Sequence, residues 1–373
     1  MKGSRNFLLA SWLFGFANNI SSPLIGLYIY INSSLFYTLN FLLMTSLSLL
    51  IGYVIVGYLS NRWRSAITYY RAGISLYILF YITLLLLNKE TPKFVDLVSA
   101  IYGLAQGFYW FGWDVLFYNT PSKLSFFNRS AYLGFISGIL TPGIYGSILT
   151  IFENKGYEVL FVLTASLMVF ASLMVEDLSV KCELFDIRRS WSVIRLNSNY
   201  RYTMTSLALI SGVNYILSNL NTILAYDVAK TYFNFMLLNY MLSGVSLVSV
   251  FVIRDRLIHR IRPYKIVMIA SSVLAVSEAL IFISPIIYLI GFNMTSPLIY
   301  PIIDVINWNN MDKEYLTLYL VNRQYFLNIG RITASLLEIF LASLTIEEEI
   351  IPLLPIVIIA SLLFMRIRQS NLD

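Results

Sequence analysis

Charge is what this sequence has least of. Only 12% of its 373 residues are Asp, Glu, Lys or Arg, while 58% are hydrophobic and the mean hydropathy is +0.72. A soluble globular chain is about half apolar and about a quarter charged, so the deficit assigns this chain to the integral membrane class. Cysteine and histidine are scarcer still, with Cys182 and His259 present as single copies. One cysteine excludes an intramolecular disulfide, and one of each leaves too few ligands for a Cys/His zinc site. The net charge of +6 is spread over many short loops rather than gathered in a basic domain, which argues against nucleic acid as a partner. No Gly-rich loop ending in Lys-Ser/Thr is found, and no soluble domain to hold one, so ATP drive is not expected. With no cluster of nucleophile, base or metal ligands, neither enzyme activity nor a cofactor is expected.

What the chain has instead is long apolar runs. Twelve reach bilayer-crossing length, about 20 residues each: 7–31, 36–59, 66–87, 94–117, 128–152, 157–175, 202–229, 231–253, 263–283, 284–307, 315–342 and 347–365. The first is uncharged and too long for a signal-peptide core, so it is read as a retained span. The 284–307 run is interrupted by Pro285, Pro297 and Pro301, which a membrane helix tolerates where neighbours re-satisfy the freed carbonyls. The runs lack the alternation of a barrel wall. The fold expected is an all-α membrane protein of twelve transmembrane helices.

The distribution of positive charge orients these spans. The termini and the loops after even-numbered spans, with their helix ends, hold 21 of the 26 Lys and Arg residues. Lys89, Lys93, Lys155 and Lys230 lie at the other face, and Arg331 lies within a span. Cytoplasmic loops carry the Lys/Arg excess, so both termini are expected in the cytoplasm and the cell membrane is the expected location. The segment Glu176 to Arg201 is the long polar break, and Trp191 and Phe185 suggest that part of it lies along the membrane surface as a short helix; a disordered linker is the alternative. The domains expected are a first bundle over 1–175, a cytoplasmic linker over 176–201 and a second bundle over 202–373.

The halves correspond beyond hydropathy. Trp113-Asp114-Val115-Leu116 ends the fourth run, and Ile303-Asp304-Val305-Ile306 ends the tenth. Asn128-Arg129 opens the fifth, and Asn322-Arg323 lies in the first turns of the eleventh. Gly15-Phe16-Ala17-Asn18 answers Gly212-Val213-Asn214. Parallel six-span repeats of this kind belong to a known transporter architecture. The turn Gly57-x-x-x-Asn61-Arg62-x-Arg64 resembles the loop motif of the major facilitator superfamily, with Asn61 where that family usually has Asp and with a shortened basic tail. Arg254-Asp255-Arg256 is similar to the second-half copy. The resemblance implies two helical bundles rocking about a central site open to one side at a time, and coupling to protons.

Ionisable residues inside spans are functional candidates by default: Arg71, Asp114, Asp227, Glu278, Asp304, Arg331 and Glu338. Asp114 and Asp304 lie in the last turns of their spans, near Arg129 and Arg323 and near the turns carrying Asn61, Arg62, Arg64, Asp255 and Arg256. Either these residues form ion clusters that gate the pathway, or they are static pairs anchoring helix ends. Asp227, Glu278 and Glu338 fall toward outer span ends and are read as solvated interfacial acids; the alternative is proton coupling through one of them, since a desolvated carboxyl shifts its pKa upward, and no spacing picks out which. Arg331 is too deep to snorkel easily. It either pairs with Glu338, two turns on along one helical face, or faces the pathway and binds an anionic group.

Polar and aromatic stripes at helical spacing mark a candidate wall: Asn18 and Ser22; Gln106, Tyr109, Trp110 and Trp113; Asn214, Ser218 and Asn221; Asn293, Thr295 and Ser296. The resemblance puts the first, fourth, seventh and tenth spans around the substrate. Interhelical hydrogen bonding is the plainer reading of each residue. A pathway of Tyr, Trp and amides with few charges suits a modest-sized amphipathic organic solute. The function expected is therefore secondary active transport of such a solute by a monomer, with the aromatic content favouring export of drug-like or metabolite compounds. Organic-anion uptake anchored by Arg331 and lipid flipping or scrambling are the alternatives.

Overall fold

The computed structural model describes residues 2–120, 123–175, 180–196, 198–254, 260–311, 315–342 and 345–364. Helices occupy every apolar run: α1 (Lys2–Asn32), α2 (Leu35–Ser60), α3 (Ala66–Leu87), α4 (Val95–Tyr118), α5 (Lys123–Phe152), α6 (Gly156–Met174), α8 (Ser198–Ala229), α9 (Tyr232–Val248), α10 (Pro263–Ala279), α11 (Pro285–Asn309), α12 (Leu316–Leu341) and α14 (Leu354–Phe364). Two shorter helices are α7 (Ile187–Leu196) and α13 (Ile346–Ile350). Helix is the outcome that lipid dictates, because it pairs every backbone N–H and C=O within the segment. By length and composition, six segments of the described chain could cross a bilayer, and two of them, Ala66–Tyr118 and Leu133–Met174, each hold two successive helices.

The chain divides into two compact units, one of Met1–Asp186 with Thr231–Leu237 and one of Ile187–Lys230 with Leu238–Asp373. The first is built on aromatic packing. Tyr53, Tyr70, Tyr77, Tyr81, Tyr109, Phe14 and Phe80 are all at most 2% exposed. Small residues let its helices approach closely, as membrane interfaces require when both solvents are apolar. A Cβ on Gly73 would lie 2.3 Å from the Tyr109 nitrogen, and one on Gly103 would lie 2.4 Å from the Thr45 carbonyl. Across α1 and α6, Ser21 and Thr164 share a hydrogen bond of 2.6 Å. The start of α9 packs on this unit through Tyr232 against Tyr157 and Phe235 against Tyr145.

In the second unit α8 and α12 meet at Gly212 and Gly330, with Gly330 over the Ala208 carbonyl. Pro285 starts α11, where a missing N–H costs nothing. Pro297 sits inside the helix and cannot donate to the Asn293 carbonyl; Ser246 of α9 donates to that carbonyl instead, at 3.0 Å. The helix therefore runs through its prolines. Part of the polar break is α7, which docks on α12: Ser190 donates to the Leu318 carbonyl at 3.0 Å, and Trp191 stacks on Tyr325 at 5.2 Å.

Candidate functional site

The first unit holds a cavity of about 290 Å³ bounded by α1, α4 and α5. Four residues of the stripes read from the sequence border it, Asn18, Tyr109, Trp110 and Trp113. Ser22 and Gln106 are not among its described lining residues. Ser22 lies one turn beyond Asn18 and is hydrogen-bonded to the Tyr102 hydroxyl at 2.9 Å. Sequence reasoning missed the contribution of α5, namely Phe126, Ser130, Gly134 and Ser137. The spacing of Ser130, Gly134 and Ser137 was the available signal, a small-residue stripe at i, i+4 and i+7.

Local packing fixes the aromatic wall. The Trp12 indole N–H is 2.9 Å from both the Leu133 carbonyl and the Ser137 hydroxyl, and Trp113 donates to the Ser11 hydroxyl at 3.2 Å. Phe14 stacks on Tyr109 with centroids 3.7 Å apart, and Trp12 stacks on Phe16 at 5.7 Å. The Asn18 carbonyl oxygen is sealed from solvent yet accepts no hydrogen bond. Among its described lining residues there is no Asp, Glu, Lys or Arg.

In the second unit the expected stripes disperse. Asn214 accepts from the Ser296 hydroxyl at 3.3 Å and borders a slit of only about 20 Å³. Ser218 bonds back to the Asn214 carbonyl at 2.6 Å, and Asn221 accepts from the Tyr288 hydroxyl at 2.8 Å. Asn293 donates to the Leu289 carbonyl one turn back at 2.9 Å, and Thr295 likewise to Gly291 at 2.8 Å. Serine, threonine and asparagine in apolar helices satisfy themselves on the nearest carbonyl, so polar spacing alone does not make a wall.

Arg331 corrects another expectation. Its Nε donates to the Ser211 hydroxyl at 3.1 Å, and its guanidinium lies 5.3 Å over the Tyr215 ring, both on α8. Glu338 is not its partner. Both Glu338 carboxylate oxygens are buried without a hydrogen bond, as are those of Glu278, and neither residue is exposed at all. They are therefore not solvated interfacial acids. Glu278 sits at the end of α10, where the chain turns straight back into α11 and Gly291 packs on the neighbouring Ser277. Protein rather than water covers the Glu278 side chain there.

The proposed gating residues fall into two groups. Asp304 and Arg323 form an ion pair, 23% and 8% exposed, with Trp308 donating to Asp304 at 3.3 Å and Arg323 lying over the Trp308 ring. In the first unit Asp114 is buried and accepts from the Tyr53 hydroxyl at 3.2 Å, while Arg129, Arg62 and Arg64 are exposed. Asp255 and Arg256 lie outside the described residues. Asn61 has a specific role: its amide donates to the Phe185 carbonyl at 2.9 Å and accepts from the Phe185 N–H at 2.7 Å. Phe185 also covers Gly57, where a Cβ would stand 2.9 Å from the ring. The adjoining strap bridges Ser65 with Lys181, and Cys182 donates its N–H to the Arg64 carbonyl. An amide can both donate and accept here, whereas a carboxylate only accepts, which accounts for Asn in place of Asp.

No family model matches the sequence. The uncharacterised protein YqgE of Bacillus subtilis (strain 168) is 25% identical over 376 residues, covering 94% of this chain and 85% of its own. Solved structures resemble the fold throughout. A POT family transporter, PepTSo, has a TM-score of 0.74 at 8% identity over 99% of this chain and 98% of its own. The nucleoside transporter NupG has 0.70 at 11% over 98% and 99%. A bacterial homologue of the iron transporter ferroportin has 0.67 at 11% over 97% and 98%.

Proposed function

We infer that this all-α, multi-pass membrane chain, whose fold is that of the major facilitator superfamily, is a secondary active transporter of a small organic solute working by alternating access. The observation carrying this is the cavity of about 290 Å³ in the first unit, walled by indoles, phenyl rings and amides and with no charged side chain among its described lining residues. It is large enough for a small ligand and offers both stacking faces and a few polar groups.

Proton coupling is assigned to Glu278 and Glu338. A charge buried without a partner is costly, so each carboxyl is a place where a proton can be taken up in one state and released in another. The Asp304–Arg323 pair, with Asp114, Arg129, the Asn61–Arg62–Arg64 turn and Asp255–Arg256, is the proposed gating set. The charge bias supports cytoplasmic termini, the aromatic wall supports export, and a monomer is the proposed unit. A second reading, organic-anion uptake, rests on the half-buried guanidinium of Arg331.

The test is flux of a solute panel in proteoliposomes with an imposed pH gradient. Saturable accumulation that collapses with the gradient, and in Glu278→Gln or Glu338→Gln, is expected. Accumulation of anions only, lost in Arg331→Ala, selects the second reading.

A further inference from the structure

Resting on the transporter reading, the geometry points to a specific solute class for the first-unit cavity: a neutral, planar heteroaromatic molecule of one or two fused rings carrying an N–H or O–H donor. Four features of the wall converge on that class.

Size comes first. About 290 Å³ lies at the lower end of small-molecule sites, which suits one or two rings. Flatness comes from the wall itself. Trp12 on Phe16 is a near-parallel pair, at 15°, and the Trp12 and Trp113 rings are held by their own N–H bonds. Trp110, 39% exposed, keeps surface available beside them. Fixed flat faces reward a planar partner that stacks, and they do so for any ring with a π-face. A puckered sugar touches such a wall only along an edge.

Neutrality follows from the described lining residues, which include no Asp, Glu, Lys or Arg. An ion brought in would lose its hydration without a counter-charge, and cation–π attraction replaces too little of it. The donor requirement follows from Asn18. Its carbonyl oxygen has no hydrogen-bond partner, an unfavourable state for a buried acceptor, and rotation of the side chain presents it to the cavity that it borders. Trp12 and Trp113 already spend their indole N–H groups in the wall, and among the described lining residues Asn18 is the one with a buried acceptor left without a partner.

The experiment uses the full chain, purified in detergent and titrated with uracil, nicotinamide and adenine against glucose, benzoate and tetramethylammonium. Three of the six tryptophans border the cavity, so quenching of their fluorescence reads occupancy, and the thermal midpoint reads it independently. At least one neutral heteroaromatic is expected to bind in preference to all three controls. Trp110→Ala and Asn18→Ala should each weaken it about tenfold, as loss of one stacked ring or one hydrogen bond does. Trp110→Phe should recover most of the loss, which separates stacking from misfolding. Preference for benzoate or tetramethylammonium, no response to any heteroaromatic at millimolar concentration, or binding indifferent to both alanine variants would each overturn the assignment. Parallel flux in proteoliposomes keeps the two readings apart. Transport of another solute class, insensitive to Trp110→Ala, overturns the assignment and leaves the transporter standing. Binding as expected without any flux keeps the site and overturns the transporter.

Discussion

Asn61→Asp exchanges one atom, and its effect can be worked from the clasp on Phe185. The substitution removes the Nδ2 donor and sets a carboxylate oxygen where the amide nitrogen stood, 2.9 Å from the Phe185 carbonyl oxygen. An orphaned buried acceptor costs about 1–3 kcal/mol, and the opposed oxygens add repulsion. The surviving bond from the Phe185 N–H, 2.7 Å in the native chain, becomes charge-assisted and returns part of this. A net loss of about 1.4 kcal/mol corresponds to a tenfold rise in opening of the strap. Cys182 reports that opening, being the single cysteine, 4% exposed, and hydrogen-bonded through its N–H to Arg64. Burial, helped by the Glu183 carboxylate, pushes its thiol from 9.0 up to about 12, so the closed form is almost wholly unreactive thiol near neutral pH. Because the folded-state value is raised, the stability that this burial contributes is present below pH 9 and is lost as pH climbs from 9 toward 12. Maleimide labelling at pH 7.5, under conditions where reclosing outruns reaction, should run about tenfold faster in Asn61→Asp. A rate within twofold of the native protein would refute the clasp.

Three further outcomes are expected. Gly330→Ala places a methyl 1.9 Å from the Ala208 carbonyl oxygen; overpacking of this kind costs about 1–3 kcal/mol, and the thermal midpoint should fall. Removing one member of the Asp304–Arg323 pair, as in Asp304→Asn, should cost about 3 kcal/mol, and the double variant Asp304→Asn/Arg323→Ala should lose less than the sum of the singles; additive losses in chemical denaturation would show that the pair is not coupled. Glu278→Gln removes a partnerless ionisable group from a fully buried site, so its midpoint at pH 8 should match or exceed the native one, whereas a marked drop would reveal a structural carboxylate.

The helices were legible because hydropathy over about 20 residues is a local property, and a break such as Pro297 is local as well. Partners are not. Asn61 finds Phe185 at a separation of 124 residues, and nothing in the turn announces that pairing. Arg331 and Glu338 share a face by spacing, yet the arginine spends itself on Ser211 and Tyr215 of another helix. Depth along a run misjudged Glu278, since exposure at a helix end depends on what folds back over it. The cavity was half legible. Asn18, Tyr109, Trp110 and Trp113 stood out as polar or amphipathic residues, while the small-residue spacing of Ser130, Gly134 and Ser137 on α5 took on meaning only where packing set it opposite Trp12.

Solute counterflow in proteoliposomes tests the central claim most directly, because it needs no assumption about the driving ion. Vesicles loaded with unlabelled solute should take up labelled solute transiently, without ATP, saturably, and above the level of protein-free vesicles. Uptake that never exceeds the protein-free level for any solute that binds, or that appears only when ATP is supplied, would contradict a secondary transporter.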